Sequence, residues 1–173
     1  MGEIIPASEM DIADVTALKQ ALLDRMFEIA MAMGVVERRE ELIYRPILPK
    51  TDLGLTNEYW ETPSLTANTW NTYFSKQLDD QRFVGFYGVT NLSADPVVTG
   101  LKFSVGAGKT KTLDVLQIED LYSDSERVDG YFKNPIIYKE KQYCNLEVYA
   151  RAAGSDRLVL KGFVVEPAGV VTF

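Results

Sequence analysis

Residues 105–110 read VGAGKT, and their two glycines and Lys-Thr pair are the residue types of a phosphate-binding loop. In the P-loop motif G-x-x-x-x-G-K-[ST] the loop amides surround the phosphates and the lysine neutralises their charge. The chain has Phe103 where the motif requires its first glycine, so the loop is too short to surround a phosphate. Residues 111–117 alternate as a strand does, whereas the motif requires a helix there. The pattern predicts a tight turn between two strands, with Gly106 and Gly108 in left-handed conformations, and no nucleotide site.

Histidine is absent from the sequence, and Cys144 is the single cysteine. Histidine is the usual general base near neutral pH, the partner of a nucleophilic serine or cysteine and the commonest zinc ligand. Cys144 alternates onto the same strand face as Leu146 and Val148, so we expect a buried structural thiol. These features predict a protein that is not an enzyme and that has no catalytic, cofactor-binding or metal site.

An acidic run at residues 119–129 offers the oxygen ligands that calcium prefers. Its spacing differs from that of an EF-hand loop, because Val128 occupies the fifth position counted from Asp124. A solvated loop is the simpler interpretation, and calcium binding stays open. The carboxylates concerned are Glu119, Asp120, Asp124, Glu126 and Asp129.

The formal net charge of −7 argues against a nucleic-acid-binding surface, because such surfaces are basic. No segment reaches the about 18 uncharged apolar residues of a membrane span. The first residues, MGEIIPASEMD, lack a basic start and an apolar run, so we expect no signal peptide. We therefore expect neither nucleic acid nor a membrane as a partner.

The most regular element is a helix predicted over residues 11–33, with Ser8 and Asp11 forming a capping-box-like start and Gly34 placed to end it. One apolar stripe runs along a single face of this helix. The stripe either packs on the core of the same chain or joins copies of the chain into a homo-oligomer. Its residues are Val15, Leu18, Leu22, Met26, Ile29 and Met33.

Residues 35–66 form a proline-containing segment, called the arm below, which is too apolar for a solvated linker. Its large side chains require burial, either on the same chain or on a partner. We expect the arm to contact a partner through Tyr44, Ile47, Leu48, Tyr59 and Trp60. A short helix is predicted to follow at residues 66–78.

From Arg82 onward the apolar pattern shifts to a period of two, with turn residues between short runs. Seven or eight such runs without intervening helices predict a mainly β fold, an antiparallel β-sandwich of jelly-roll or immunoglobulin-like type. Residues 151–157 read as a hairpin loop. The predicted organisation is an N-terminal helix and extended arm over residues 1–66, followed by a sandwich domain over residues 67–173.

Four segments carry a resemblance to a known class of proteins: TANTWNTYFSKQL, VGFYGVTNLSADPVVTGLKF, NPIIYKEKQYCNLEVYA and LVLKGFVVEPAG. The order of these segments and their residue pattern resemble those of structural proteins of tailed bacteriophages, most of all the β-sandwich cement or decoration proteins. The resemblance covers roughly residues 66–173. The resemblance implies a virion protein, made in the host cytoplasm, that binds the major capsid protein in many copies and stabilises the shell. The alternatives are a phage tail or neck component and a carbohydrate-binding module, for which Tyr87, Tyr122, Tyr131 and Tyr149 are the candidate groove residues.

Overall fold

The computed structural model describes residues 2–119, 121 and 128–169. Its helices are α1 (Ile12–Ala32) and α2 (Pro49–Leu53), and short 3-10 turns cover Ala7–Glu9 and Arg39–Glu41. Its strands are β1 (Ile4–Pro6), β2 (Leu42–Pro46), β3 (Thr69–Gln77), β4 (Phe83–Asn91), β5 (Val98–Val105), β6 (Lys111–Gln117), β7 (Val128–Tyr138), β8 (Tyr143–Ala150) and β9 (Leu158–Pro167).

The strands form two antiparallel sheets, with the orders β1-β7-β4-β9-β2 and β3-β8-β5-β6. This confirms the predicted antiparallel β-sandwich. The pairing is nested: β2 pairs with β9, β3 with β8, β4 with β7 and β5 with β6. From β2 to β9, each strand of the first half thus pairs with its counterpart in the second half. This is the connectivity of a jelly roll and not of an immunoglobulin fold.

The helix predicted over residues 66–78 is wrong, because this segment forms β3. A bulge between Thr72 and Phe74 shifts the register of β3 against β8. Tyr73 and Phe74 are therefore both buried although they are adjacent, and with Trp70 they reproduce a helical spacing within a strand.

Residues 151–157 do not form the predicted hairpin loop. They connect β8 of the four-stranded sheet to β9 of the five-stranded sheet, so this segment is a crossing between sheets. Gly154 does adopt a positive φ of 143° there. The alternating pattern identified both strands correctly but could not identify their partners.

The predicted N-terminal helix is present as α1, and its capping box lies three residues further along the chain than the predicted one. The Asp11 side chain accepts a hydrogen bond from the Asp14 amide at 2.8 Å, and the Asp14 carboxylate accepts one from the Asp11 amide at 3.3 Å. The capping box therefore joins Asp11 to Asp14 rather than Ser8 to Asp11.

Helix α1 packs on the outer face of the five-stranded sheet, so the structure has three layers. Leu22, Met26 and Ala30 are buried in one cluster with Phe83 and Val165 of the sheet. Strand β4 is consequently buried on both faces along its whole length. Gly85 permits this close approach, because a Cβ atom there would lie 2.7 Å from the Met26 sulfur.

The close contact between β4 and β9 generates a stability prediction. A Cβ atom at Gly162 would collide with the carbonyl oxygen of Gly85, and backbone cannot move aside as a side chain can. We expect Gly162→Ala to lower the free energy of unfolding by about 1–3 kcal/mol or more, as overpacking does.

Gly108→Ala is the matched control, since its Cβ would meet only the Thr110 methyl group at 3.6 Å. It should change the free energy of unfolding by less than about 0.5 kcal/mol. Urea denaturation of both variants checks the pair. Equal stability of the two would contradict the described packing of β9 on β4.

Candidate functional site

The arm runs along one open side of the sandwich: it supplies β2, the edge strand of the five-stranded sheet, and its later part lies beside β3, the edge strand of the other sheet. β2 pairs with β9, and α2 follows it. The chain then passes along β3, where the Lys76 ammonium donates to the Thr51 carbonyl at 2.9 Å and Asn71 contacts the backbone of Thr66. Residues of the arm belong to the same core cluster as the strands: Ile47, Leu53, Leu55 and Leu65. The described residues on both sides of the predicted boundary at residue 66 thus share one core.

The five predicted partner-contact residues divide into two groups. Ile47 is 8% exposed, and Trp60 packs partly buried against the core with its ring edge-on to Tyr73, so both contact this chain itself. Leu48 is half-buried. Tyr44 and Tyr59 are 55% and 48% exposed, so they are available to a partner.

Both exposed tyrosines are held in place by neighbouring side chains. The Tyr44 ring lies edge-on to Phe27 of α1 and to Phe163 of β9, at centroid distances of 6.5 Å and 5.7 Å. The Arg157 guanidinium lies over the Tyr59 ring at 4.9 Å. Rings fixed in this way lose little conformational entropy when a partner covers them.

A cluster of four buried charges, called the ion cluster below, fixes the first part of the arm. Arg45 binds both oxygens of Asp52, at 2.8 and 2.9 Å, and one oxygen of Glu166 at 2.8 Å. Arg82 binds the other oxygen of Glu166 at 3.2 Å and lies 3.5 Å from Asp52. Both carboxylates are fully buried, and the two guanidinium side chains are only 11% and 5% exposed. The cluster joins β2, α2, β9 and the residue that precedes β4.

The pairing in the ion cluster compensates for burial. The hydrogen bonds with Asp52 raise the pKa of Arg45 further above its ordinary value, and Glu166 adds to the effect, although burial opposes it. Asp52 also accepts a hydrogen bond from the Leu48 amide at 2.7 Å. Removing one member of such a cluster leaves a buried charge without its partner, which is costly.

Asp156 fixes the other end of the arm. One of its carboxylate oxygens accepts hydrogen bonds from the Asn91 side chain and from the amides of Val97 and Val98, at 2.8–2.9 Å. Its backbone amide donates to the Thr62 hydroxyl at 2.9 Å, and its carbonyl accepts from the Thr62 amide. The arm is therefore held by buried polar groups at both ends.

The stripe of α1 is divided along the helix. Leu22 and Met26 are buried against the sheet, and Val15, Leu18 and Ile29 are half-buried. Met33 is 43% exposed at the end of the helix. Packing on the chain's own core accounts for the buried part, and self-assembly through this helix stays a prediction.

The glycine-rich segment is the predicted turn, since β5 and β6 are antiparallel neighbours joined by residues 106–110. Gly106 has a φ of 103°, but the second left-handed residue is Lys109, with a φ of 56°, and not Gly108. The Lys109 ammonium donates to the Thr72 hydroxyl at 2.6 Å, so it ties the turn to β3. Absence of nucleotide binding stays a prediction.

Among the described residues, Cys144 and the predicted groove tyrosines do not come together in one site. Cys144 is fully buried, as predicted, and burial raises the pKa of its thiol. Tyr87 and Tyr131 stack on the outer face of the five-stranded sheet, whereas Tyr149 contacts Trp70 on the opposite sheet, so these tyrosines do not line one groove. Tyr122 lies outside the described residues.

Most of the acidic run also lies outside the described residues, including Asp120, Asp124 and Glu126. The Asp129 carboxylate accepts hydrogen bonds from Thr90 and Lys161. Across residues 2–119, 121 and 128–169, acidic and cysteine side chains form no group of three or more placed to hold a metal ion. In the same residues, no helix has both the length and the apolar composition to cross a membrane.

Comparison with known proteins found no matching family model, no matching curated protein and no matching solved structure.

The ion cluster generates a stability prediction. We expect Asp52→Ala to lower the free energy of unfolding by about 3–5 kcal/mol, because it leaves Arg45 and Arg82 buried with one carboxylate fewer. Asp52→Asn keeps the shape but removes the charge, and it should cost part of that amount. The free energies come from urea denaturation.

Asp24→Ala is the matched control, because Asp24 forms an exposed pair with Arg39 at 2.7 Å. Exposed pairs contribute about 0–1 kcal/mol, so this change should be nearly neutral. If Asp52→Ala is as mild as Asp24→Ala, the ion cluster does not hold the arm.

Proposed function

We propose that this protein is a non-enzymatic structural protein of a tailed-bacteriophage virion, most like a capsid decoration or cement protein. In this role it binds major capsid subunits in many copies, as a homo-oligomer or as single chains, and stabilises the shell from outside. It is made in the host cytoplasm and ends in the virion. The role requires no cofactor.

The observation that carries the proposal is the pair of exposed and positioned aromatic rings, Tyr44 and Tyr59. Aromatic side chains held in a fixed orientation are typical anchors of protein–protein interfaces. Tyr44 lies beside two further rings, Phe27 and Phe163, so a partner that covers Tyr44 also gains contact with an apolar edge of the sheet. Tyr59 presents a second contact further along the arm.

The buried charges of the described residues favour a structural role over a catalytic one. Arg45, Asp52, Arg82 and Glu166 neutralise one another inside the protein, and none of them lines the surface cleft formed by residues 54–57 and 61–64 with Tyr73 and Ser155. Catalytic groups are instead expected in a cleft with perturbed pKa values. The jelly-roll connectivity supports a virion role by analogy, because viral capsid domains use it, but one fold serves many functions.

Co-sedimentation with capsids tests the proposal. Shells assembled from the major capsid protein of the same genome are mixed with the purified protein and centrifuged. We expect the protein to sediment with the shells at a fixed number of copies per capsid. Tyr44→Ser and Tyr59→Ser should each weaken binding roughly tenfold or more, as loss of an interface anchor does.

Leu113→Ser is the matched control, since Leu113 is 39% exposed on β6, far from the arm in the strand order. It should leave sedimentation unchanged. Failure of the unmodified protein to bind any shell would contradict the proposal. If labelling of this protein in purified virions is confined to tails or necks, the result favours a tail or neck component. A strong glycan-array signal without shell binding would favour a carbohydrate-binding module.

A further inference from the structure

Strand β2 lies at the edge of the five-stranded sheet, so one side of its backbone faces away from β9. The Ala168 amide donates to the Glu41 carbonyl at 2.8 Å, and this bond fixes the phase of the ladder between the two strands. Because bonded and non-bonded pairs alternate in an antiparallel ladder, Ile43 and Arg45 bond to β9 and Tyr44 does not. The amide and the carbonyl of Tyr44 therefore point to the open edge.

The outward backbone groups of β2 are unevenly used. The Leu42 amide donates to the Arg39 carbonyl, and the Pro46 carbonyl accepts a hydrogen bond from the Arg45 guanidinium at 3.1 Å. Within the described part of the chain, the Tyr44 amide, the Tyr44 carbonyl and the Leu42 carbonyl have no hydrogen-bond partner. The Tyr44 side chain is 55% exposed and Pro46 is exposed, so solvent reaches the edge at these two residues.

Among the described strands, the other three sheet edges carry features that hinder pairing with another chain. Strand β1 has three residues and ends at Pro6. On β6 the Val115 amide already donates to the Asp114 carboxylate at 2.9 Å, and the register against β5 shifts along the strand. Strand β3 contains a bulge, and Lys76 ties it to the arm. Strand β2, in contrast, pairs with β9 in unbroken register and has Tyr44 at its centre.

The side chain of Tyr44 adds an apolar contact to the open backbone. Its ring lies edge-on to Phe27 and Phe163, so the three rings form one apolar surface beside the edge. A residue placed opposite Tyr44 in an added strand would have its Cβ atom about 4.5–5.5 Å from the Cβ atom of Tyr44, close enough to pack on the ring. In such an arrangement the backbone bonds give affinity, and the ring selects an apolar side chain.

Pro46 favours a strand of different sequence over a second copy of this chain. Two copies related by a two-fold axis would pair antiparallel, with Tyr44 of one copy opposite Tyr44 of the other. That arrangement places Pro46 of the second copy opposite Leu42, whose carbonyl would then meet a residue without an N–H. The two copies would exchange only two backbone hydrogen bonds, whereas a segment with an amide at that position adds a third.

We propose that the partner contacted by Tyr44 supplies an extended segment, which adds to the five-stranded sheet as a sixth strand beside β2 and places an apolar side chain on the Tyr44 ring. This inference rests on the proposed function, so in the virion the segment belongs to the major capsid protein.

Residue-resolved hydrogen exchange of the full chain, free and bound to shells of the major capsid protein, tests the proposal. In the free chain the Tyr44 amide should exchange at least about a hundredfold faster than the amides of Ile43 and Arg45, which lie in the ladder. On binding to shells the Tyr44 amide should slow by at least about a hundredfold, because it gains a backbone acceptor.

The outcomes separate this inference from the proposed function. Shell binding that leaves the Tyr44 amide fast would overturn the sixth strand and leave the proposed function standing. No binding to shells would overturn both. Slow exchange of this amide in the dilute free chain would show that the edge is already covered, and protection that grows with the concentration of the free chain would assign the edge to a second copy; either result rules out the proposal.

Two substitutions at one position separate the backbone contact from the ring contact. Tyr44→Ser removes the ring, and Tyr44→Pro removes both the ring and the outward amide without taking a bond from the ladder. We expect Tyr44→Pro to bind shells roughly tenfold more weakly than Tyr44→Ser, through the loss of one hydrogen bond, while both variants unfold at similar urea concentrations. Equal shell binding by the two folded variants would count decisively against an added strand.

Discussion

The ion cluster is the constraint on which the position of the arm depends. Charges taken out of water are costly unless each finds a partner in good geometry. Arg45 of β2 and Asp52 of α2 pair with each other inside the arm, and they join it to the sandwich because Arg45 also binds Glu166 of β9 and Asp52 lies 3.5 Å from Arg82. A displaced arm would take Arg45 away from Glu166, which would then keep only its 3.2 Å contact with Arg82 among the ion-cluster residues. The cluster therefore favours one placement of β2 and α2 over a range of loosely packed alternatives, in addition to the apolar contacts that it surrounds.

This placement determines which surfaces remain for partners. The arm closes one side of the sandwich, because its β2 pairs along β9 and its later part lies beside the edge strand β3, and uncovered edges there would invite pairing with other chains. Ile47 is buried in the core by this packing and Trp60 is partly buried against it, whereas Tyr44 and Tyr59 face outward. Helix α1 covers β4 in the same manner on the other face of the five-stranded sheet. The chain thus uses its N-terminal third to complete its own core, and the rings of Tyr44 and Tyr59 stay exposed on the surface of the arm.

Much of the fold was predictable from the sequence, because period-two alternation identifies β4, β5, β6, β8 and β9 and the apolar stripe identifies α1. The misses have physical causes. The bulge in β3 hides the alternation, β2 is a five-residue strand that ends at Pro46, and no local pattern states which sheet receives the chain after residue 157. The partner-contact residues were harder to predict than the fold. Tyr44 and Ile47 look equally apolar in the sequence, although the first is exposed and the second is buried. The only local signal for the ion cluster was a charge beside an apolar run, as at Arg82 and Glu166.

Native-state hydrogen exchange measures most directly whether the arm belongs to the cooperative core. The amides to follow are those of Asp52 and Leu65, which donate to Leu48 and Gly154 at 2.8 and 2.7 Å, compared with the amides of β4. If the ion cluster and the Asp156 contacts hold the arm as described, its amides exchange only when the whole domain unfolds, with the same opening free energy as β4. An arm whose amides open several kcal/mol more easily than β4 would contradict the account, because it would be a detachable segment and not part of the fold.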